Sequence, residues 1–274
     1  MNTAARVAQA DAPLLRRDLR ADGVLTLTLS RPQARNALSI AMLDALSAAF
    51  ADIAADRSVR VVVLAAEGPA FSSGHDLKEI TAARAGADGG RAFFEDTLTR
   101  CAKMMQQVVA LPQPVIAAVE GIASAAGCQL VATCDLAIAG DKAQFCTPGV
   151  NIGLFCSTPM VALSRNLSRK HAMEMLLSGD MFDAADAERF GLVNRVAPAG
   201  GALDAALALA GKIASKSTMT VKIGKRAFYE QAEMRLGEAY DYASRVMVEN
   251  LLARDADEGI SAFVQKRAPS WEDR

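Results

Sequence analysis

Hydrophobic positions in this chain fall into two periods that alternate along its length. Gly23–Leu29 alternates apolar and polar with period two, which predicts a strand. Arg31-Pro32-Gln33 then breaks the extended run. From Leu38 to Ala55 the apolar residues Leu38, Met42, Leu43, Leu46, Phe50 and Ile53 recur at spacings of three and four, which predicts an amphipathic helix. Ser39 is placed to cap its start. Val59–Ala66 is a nearly continuous apolar run and predicts a strand buried on both faces. Shorter strands are predicted at Val115–Val119, Asp135–Ala139 and Leu192–Val196, with helices at Arg91–Ala110 and Ser124–Thr133 between them. Strand and helix in alternation predict an α/β fold with parallel crossovers. After Leu203 only helical patterns follow, at 203–215, 218–231 and 236–254. No repeat of fixed sequence period is present. The chain divides into a flexible N-terminus (1–12), a layered core (13–199) and a helical C-terminal part (200–274). Gly200-Gly201 serves as the hinge between the last two, and the glycine-rich stretch 86–90 is expected to be a mobile loop.

Composition narrows the function classes. Of 274 residues, 51% are apolar and 22% charged, enough to build a core and too many apolar groups for a disordered chain. Thirty basic residues balance 31 acidic ones, and aromatics are only 5%. That balance argues against a general nucleic-acid binder, which needs a basic excess and stacking surfaces. The five cysteines form no C-x-x-C pair and there are only two histidines, so the usual zinc spacing is missing. No metal is expected, and reduced cysteines in a cytoplasmic protein are. No apolar run reaches the roughly 18 residues of a membrane span. Met1–Ala12 lacks the apolar core of a secretory signal and only faintly resembles a transit peptide.

Two segments carry candidate chemistry. Phe71-Ser-Ser-Gly-His-Asp-Leu-Lys-Glu79 leaves a buried strand through small residues, so backbone can approach a ligand closely. An exposed N–H there is a possible oxyanion donor, although a glycine after a strand often marks a simple turn. Glu120–Leu130 joins a strand to a helix through Gly, Ala and Ser. The first turn of a helix has free N–H groups and partial positive charge. Close packing against a neighbouring element would call for the same small residues.

These segments, together with Arg31-Pro32, Asn36-Ala37-Leu38, Cys134–Ala139, Phe190–Val193 and Glu258–Arg267, resemble the enoyl-CoA hydratase/isomerase (crotonase) superfamily from about Gly23 to Trp271. The resemblance implies a crotonase-type β-spiral core of ββα repeats with a helical C-terminal part that forms a homotrimer or a dimer of trimers. It implies an acyl-CoA thioester as substrate and no cofactor beyond the coenzyme A it carries, with no nucleic-acid or membrane partner. Carried onto this chain, the family's two oxyanion donors are the backbone N–H groups of His75 and Ala126. The implied CoA contacts are Arg35, Ala37, Ser73, Gly74, Asp76, Leu77, Lys78, Phe263 and Lys266.

The resemblance breaks at the two glutamates that position and deprotonate water in the family's hydratases. Their positions here hold Gln129 and Gly149. An amide hydrogen-bonds water but does not take its proton near neutral pH. Three readings follow. The chain is an enzyme of acyl-CoA metabolism with another base, for which Asp76, Cys156, Ser157 and Thr158 are the polar candidates. It is a slow hydratase or isomerase in which Gln129 merely holds water. Or it is a non-catalytic acyl-CoA-binding module. The lyase or isomerase reading is adopted and the binding module is the alternative. A Rossmann dehydrogenase is disfavoured because no Gly-x-Gly-x-x-Gly follows the first strand.

Overall fold

The computed structural model describes residues 13–274, so the expectation for 1–12 lies outside the described residues. The elements, in chain order, are β1 (Leu15–Leu19), β2 (Val24–Leu29), α1 (Ile40–Ala55), β3 (Val61–Ala66), β4 (Ala70–Ser72), α2 (Leu77–Ala83) and α3 (Arg91–Ala110). Then come β5 (Val115–Val119), β6 (Ile122–Ser124), α4 (Ala126–Thr133), β7 (Leu136–Gly140), β8 (Gln144–Cys146), α5 (Ser157–Asn166), α6 (Arg169–Ser178) and β9 (Phe182–Asp183). The chain ends with α7 (Ala184–Phe190), β10 (Arg195–Ala197), α8 (Ala202–Ala214), α9 (Thr218–Ala232), α10 (Leu236–Leu252) and α11 (Arg254–Val264).

The strands build two sheets. One has six strands in the order β1-β2-β3-β5-β7-β10, parallel except for the antiparallel edge strand β1. The other has four, β4-β6-β8-β9. Each turn of the spiral sends one strand to the first sheet and the next to the second: β3 then β4, β5 then β6, β7 then β8. The fold is thus the crotonase spiral of ββα units. Central strands of the large sheet are covered on both faces. This explains the unbroken burial of β3 and β5 and their continuous apolar sequences.

One face of the large sheet joins α1, α3, α4 and the small sheet in the main core, around Phe50, Phe71 and Phe145. The other face packs against α8. Ala202, Ala206, Ala210 and Ala214 recur every fourth residue and meet Val61, Val63, Ile116 and Ile138. Methyl-sized side chains let the helix lie close to the sheet. The first helix after the glycine pair therefore belongs to the packing of the sheet.

Three differences from the sequence expectations have simple causes. Strands β4, β6 and β8 are three residues long, too short for alternation to register. The strand expected at Leu192–Val196 begins only at Arg195, because Leu192 and Val193 fold into the core as a turn after α7. Asn194 fixes that turn by exchanging two hydrogen bonds of 2.8 Å with the Ala137 backbone. The last expected helix is broken at Ala253, where ψ is 149°, and a separate helix, α11, follows.

Candidate active site

Three chain segments meet where the small sheet gives way to α4. The first is anchored by Asn36, a fully buried residue held at φ 50°. Its side chain accepts from Arg31 N–H (2.8 Å) and donates to Glu67 O (2.9 Å) and Ala70 O (2.8 Å). Its carbonyl accepts from Ser72 Oγ at 2.9 Å. These bonds stitch the loop before α1 to β4. Ser73 N–H donates to Arg35 O, and Leu38 N–H donates to Gly74 O. The chain thus leaves β4 along a fixed path through Ser73, Gly74 and His75.

The second segment is the entry to α4. Gly127 lies so close to β4 that a Cβ on it would be 2.3 Å from Ser72 O. Gly74, at φ +85°, faces the same place: a Cβ there would be 3.0 Å from Ser124 O and 3.2 Å from Ala126 N. Ala125 precedes the helix at φ 49°, a conformation normally left to glycine, and its N–H donates to Cys146 O at 2.9 Å. Ala126 is the first residue of α4, so its N–H has no acceptor within the helix. Among the described residues, neither the His75 N–H nor the Ala126 N–H donates a hydrogen bond. The paired loops expected from the sequence are therefore in contact, and both named amides are free.

The third segment runs from β8 into α5. Gln129 lies one turn into α4, 5% exposed, and its Oε1 has no partner. Gly149 is buried in the short turn 148–152. A Cβ there would lie 2.8 Å from Leu154 O and 2.9 Å from Cys156 Sγ. The space beside Gly149 is filled, because Leu154 N–H donates back to Gly149 O at 2.9 Å and closes the turn. Cys128, Cys146 and Cys156 gather around this corner, and all five cysteines of the chain are buried and free. Burial pushes the thiols of Cys128, Cys146 and Cys156 above their ordinary range, so they are held protonated.

The other predicted residues are distributed unevenly. Asp76 caps α2 by accepting from Lys78 N–H at 3.0 Å and lies 3.6 Å from Arg31. Arg35 sits at φ 50° and Ala37 is buried beside it, while Leu77 and Lys78 are exposed on the first turn of α2. Phe263 is 85% exposed at the end of α11, and Lys266 follows at φ 54°. Neither shares a hydrogen bond or ion pair with the two loops of its own chain. Ser157 Oγ donates to Phe155 O at 3.3 Å, a local contact at the start of α5. The positioning residues Asn36, Ala125 and Gly127 were not marked as functional by sequence. Their importance lies in long-range contacts, such as those of Asn36 across 31 and 34 residues, and in one backbone angle, neither of which has a local signature.

Among the described residues no cluster of His, Cys, Asp and Glu could hold a metal ion, and no helix is long and apolar enough to cross a membrane. A cavity of about 870 Å³ lies elsewhere, between the end of α3, α9 and the C-terminus, and shares no residue with the loops described above.

A two-sheet spiral of ββα units defines a class. The family model for enoyl-CoA hydratase/isomerase matches residues 20–274, and this chain belongs to that family. It is 48% identical over 250 residues to the human protein named enoyl-CoA hydratase domain-containing protein 3, mitochondrial, covering 91% of this chain and 81% of the relative. The crystal structure of that human protein superposes with a TM-score of 0.89 at 46% identity, covering 94% of this chain and 100% of the other. An enoyl-CoA hydratase structure from Mycobacterium smegmatis gives a TM-score of 0.91 at 52% identity, covering 95% and 99%. The expectation of a cytoplasmic location is corrected by these comparisons: relatives at 47–48% identity from human, rat and mouse are named as mitochondrial.

Proposed function

We propose that the protein binds acyl-CoA thioesters and stabilises their enolates, as a lyase or isomerase of its family. The observation that carries this reading is the pair of unpartnered amides at His75 and Ala126, on loops packed so closely that Gly74 has no room for a side chain against residues 124–126, nor Gly127 against Ser72. Both would donate to the thioester oxygen. As negative charge moves onto that oxygen, the two bonds strengthen without any rearrangement of the protein. The positive end of α4 adds to the same field. Losing one such donor costs ~3 kcal/mol of barrier in comparable sites.

Arg35 and Lys78 supply cations near the loops for the phosphates of coenzyme A, with Ala37, Ser73, Asp76 and Leu77 along the channel. Phe263 and Lys266 reach CoA from a neighbouring copy, in a homotrimer or a dimer of trimers. Support for such an assembly comes from the exposed Phe228, Leu236, Tyr240, Leu252 and Phe263 on α9–α11, a large apolar surface for a chain standing alone. Coenzyme A enters as part of the substrate.

Gln129 and Gly149 stand where hydratases of the family carry glutamates, so hydration of crotonyl-CoA is slow. The closed turn beside Gly149 favours the alternative, a non-catalytic binding module, because a carboxylate cannot be restored there without moving Leu154 and Cys156. Calorimetry with crotonyl-CoA and acetoacetyl-CoA tests the main reading: saturable heat is expected, and none at millimolar ligand overturns it. Enoyl absorbance followed in parallel separates the two readings. Turnover well below about 10 per second is expected, the ordinary scale for metabolic enzymes, and a faster rate would mean that an efficient base is present.

A further inference from the structure

Away from the loops the molecule holds a second concave surface, the cavity of about 870 Å³. Arg57 precedes β3 and Pro112 leads into β5, so this cavity lies where the central strands begin. The site loops follow β4 and β6, beyond the far ends of the same strands. Lys225 fixes its shape. The ammonium donates to Val108 O and Gln113 O, which bracket residues 109–112 on one wall, while α9 forms the other. The third donor goes to Asp135, so Lys225 holds the walls together and has none left for a ligand.

The lining separates into engaged and unengaged groups. Leu111 is buried, and Pro112, Met219 and Ile223 are half-buried, which gives the cavity an apolar floor. Every carboxylate on the lining has a partner. Asp273 Oδ1 accepts from Thr218 N–H at 2.7 Å, and its Oδ2 lies 3.7 Å from Arg60. Glu272 Oε2 lies 2.6 Å from Arg274 and its Oε1 3.5 Å from Arg254. Glu230 accepts from the Tyr242 hydroxyl. The cations differ. Among the described residues, neither Arg57 nor Lys222 has an ion pair or a side-chain hydrogen bond, and Arg226 adds positive charge one turn beyond Lys222. A single aromatic ring, Tyr229, lines the cavity, so a nucleobase finds no pair of rings to stack between. Unpaired positive charge beside an apolar floor, in a cavity of ligand size, is complementary to a molecule with one anionic end and an apolar body.

We infer that this cavity is a second ligand site, for a free fatty carboxylate. The carboxylate accepts from the Arg57 guanidinium and the Lys222 ammonium, and the hydrocarbon chain lies along Leu111, Pro112, Met219 and Ile223. Charge-assisted bonds of this kind are the strong ones, and a guanidinium fork suits a planar carboxylate. The site shares no residue with the loops, so it stands independently of the acyl-CoA reading.

Binding of a dansyl-labelled undecanoic acid to the full chain, read by its fluorescence, tests this. Saturable binding is expected, with displacement by decanoate. Displacement by 1-decanol, which has the chain without the charge, should be much weaker, and acetoacetyl-CoA should not displace the probe. Arg57→Gln combined with Lys222→Gln should weaken decanoate by about tenfold or more, the scale of a lost charge-assisted contact. Neither side chain bonds to another described residue, so this variant should keep the wild-type urea midpoint. Ile223→Asn should weaken decanoate with both charges intact. The inference is overturned by an absence of saturable binding to the wild type, by equal displacement with 1-decanol, or by wild-type affinity in either variant. Displacement by acetoacetyl-CoA also overturns it, since the probe would then occupy the loop site.

Discussion

At the residue scale, the site depends on how closely backbone can approach backbone. Ala125 holds φ 49° and ψ −116° without glycine's freedom. Such a conformation costs on the order of 1–3 kcal/mol and persists only when surrounding bonds over-determine it. Here those bonds are Ala125 N–H to Cys146 O and the packing of Gly127 on Ser72. Gly127→Ala should destabilise the protein by ~1–3 kcal/mol, because the added methyl meets a strand carbonyl and not a side chain that could turn aside. Urea denaturation measures the loss, and weakened acyl-CoA binding should accompany it. Some of this detail was legible in the sequence. Ser39 was expected to cap α1 and accepts from Met42 N–H at 3.3 Å. The pairing of His75 with Ala126 as amide donors is an expectation from family resemblance alone. The closure around Gly149 was not foreseen, since Cys156 Sγ and Leu154 O reach it through a turn that has no periodic signal.

At the element scale, α9 is tied to the core by a buried ion pair. Lys225 on α9 donates to Asp135 Oδ2 at 2.7 Å, to Val108 O at 3.0 Å and to Gln113 O at 3.1 Å. Asp135 also accepts from Val115 N–H at 2.7 Å and from Tyr229 Oη at 2.9 Å. Burial pulls the Lys225 ammonium below its ordinary value, while Asp135 draws it back up. The side chains are only 5% and 15% exposed, so breaking the pair leaves a charge in an apolar setting. Lys225→Met should therefore cost ~3–5 kcal/mol, read by the urea midpoint. Adding Asp135→Asn should return part of that loss, and full additivity would show that the two side chains do not act as a pair. Asp135 lies on a predicted strand and Lys225 on a predicted helix, yet their pairing spans 90 residues. Long-range partners of this kind leave no trace in local periodicity. The long or continuous elements, β3, β5, α1 and α3, were legible because each repeats its pattern for several residues.

At the scale of the whole molecule, the apparent boundary at Gly200-Gly201 is a turn and not a seam. The helix that follows it closes the lower face of the large sheet, and Glu120, from the loop after β5, anchors that helix by its first N–H. The alanines of α8 face Val61, Val63, Ile116 and Ile138, none of which is detectably exposed in the intact chain. A fragment comprising 13–199 would present those side chains to water. It should bind a hydrophobic dye and scatter light under conditions where the full chain does neither; a monodisperse, dye-negative fragment would contradict this. The alanine stripe thus makes α8 part of the spiral's own foundation, so a graft or truncation that removes residues 202–214 takes away the floor on which the large sheet rests.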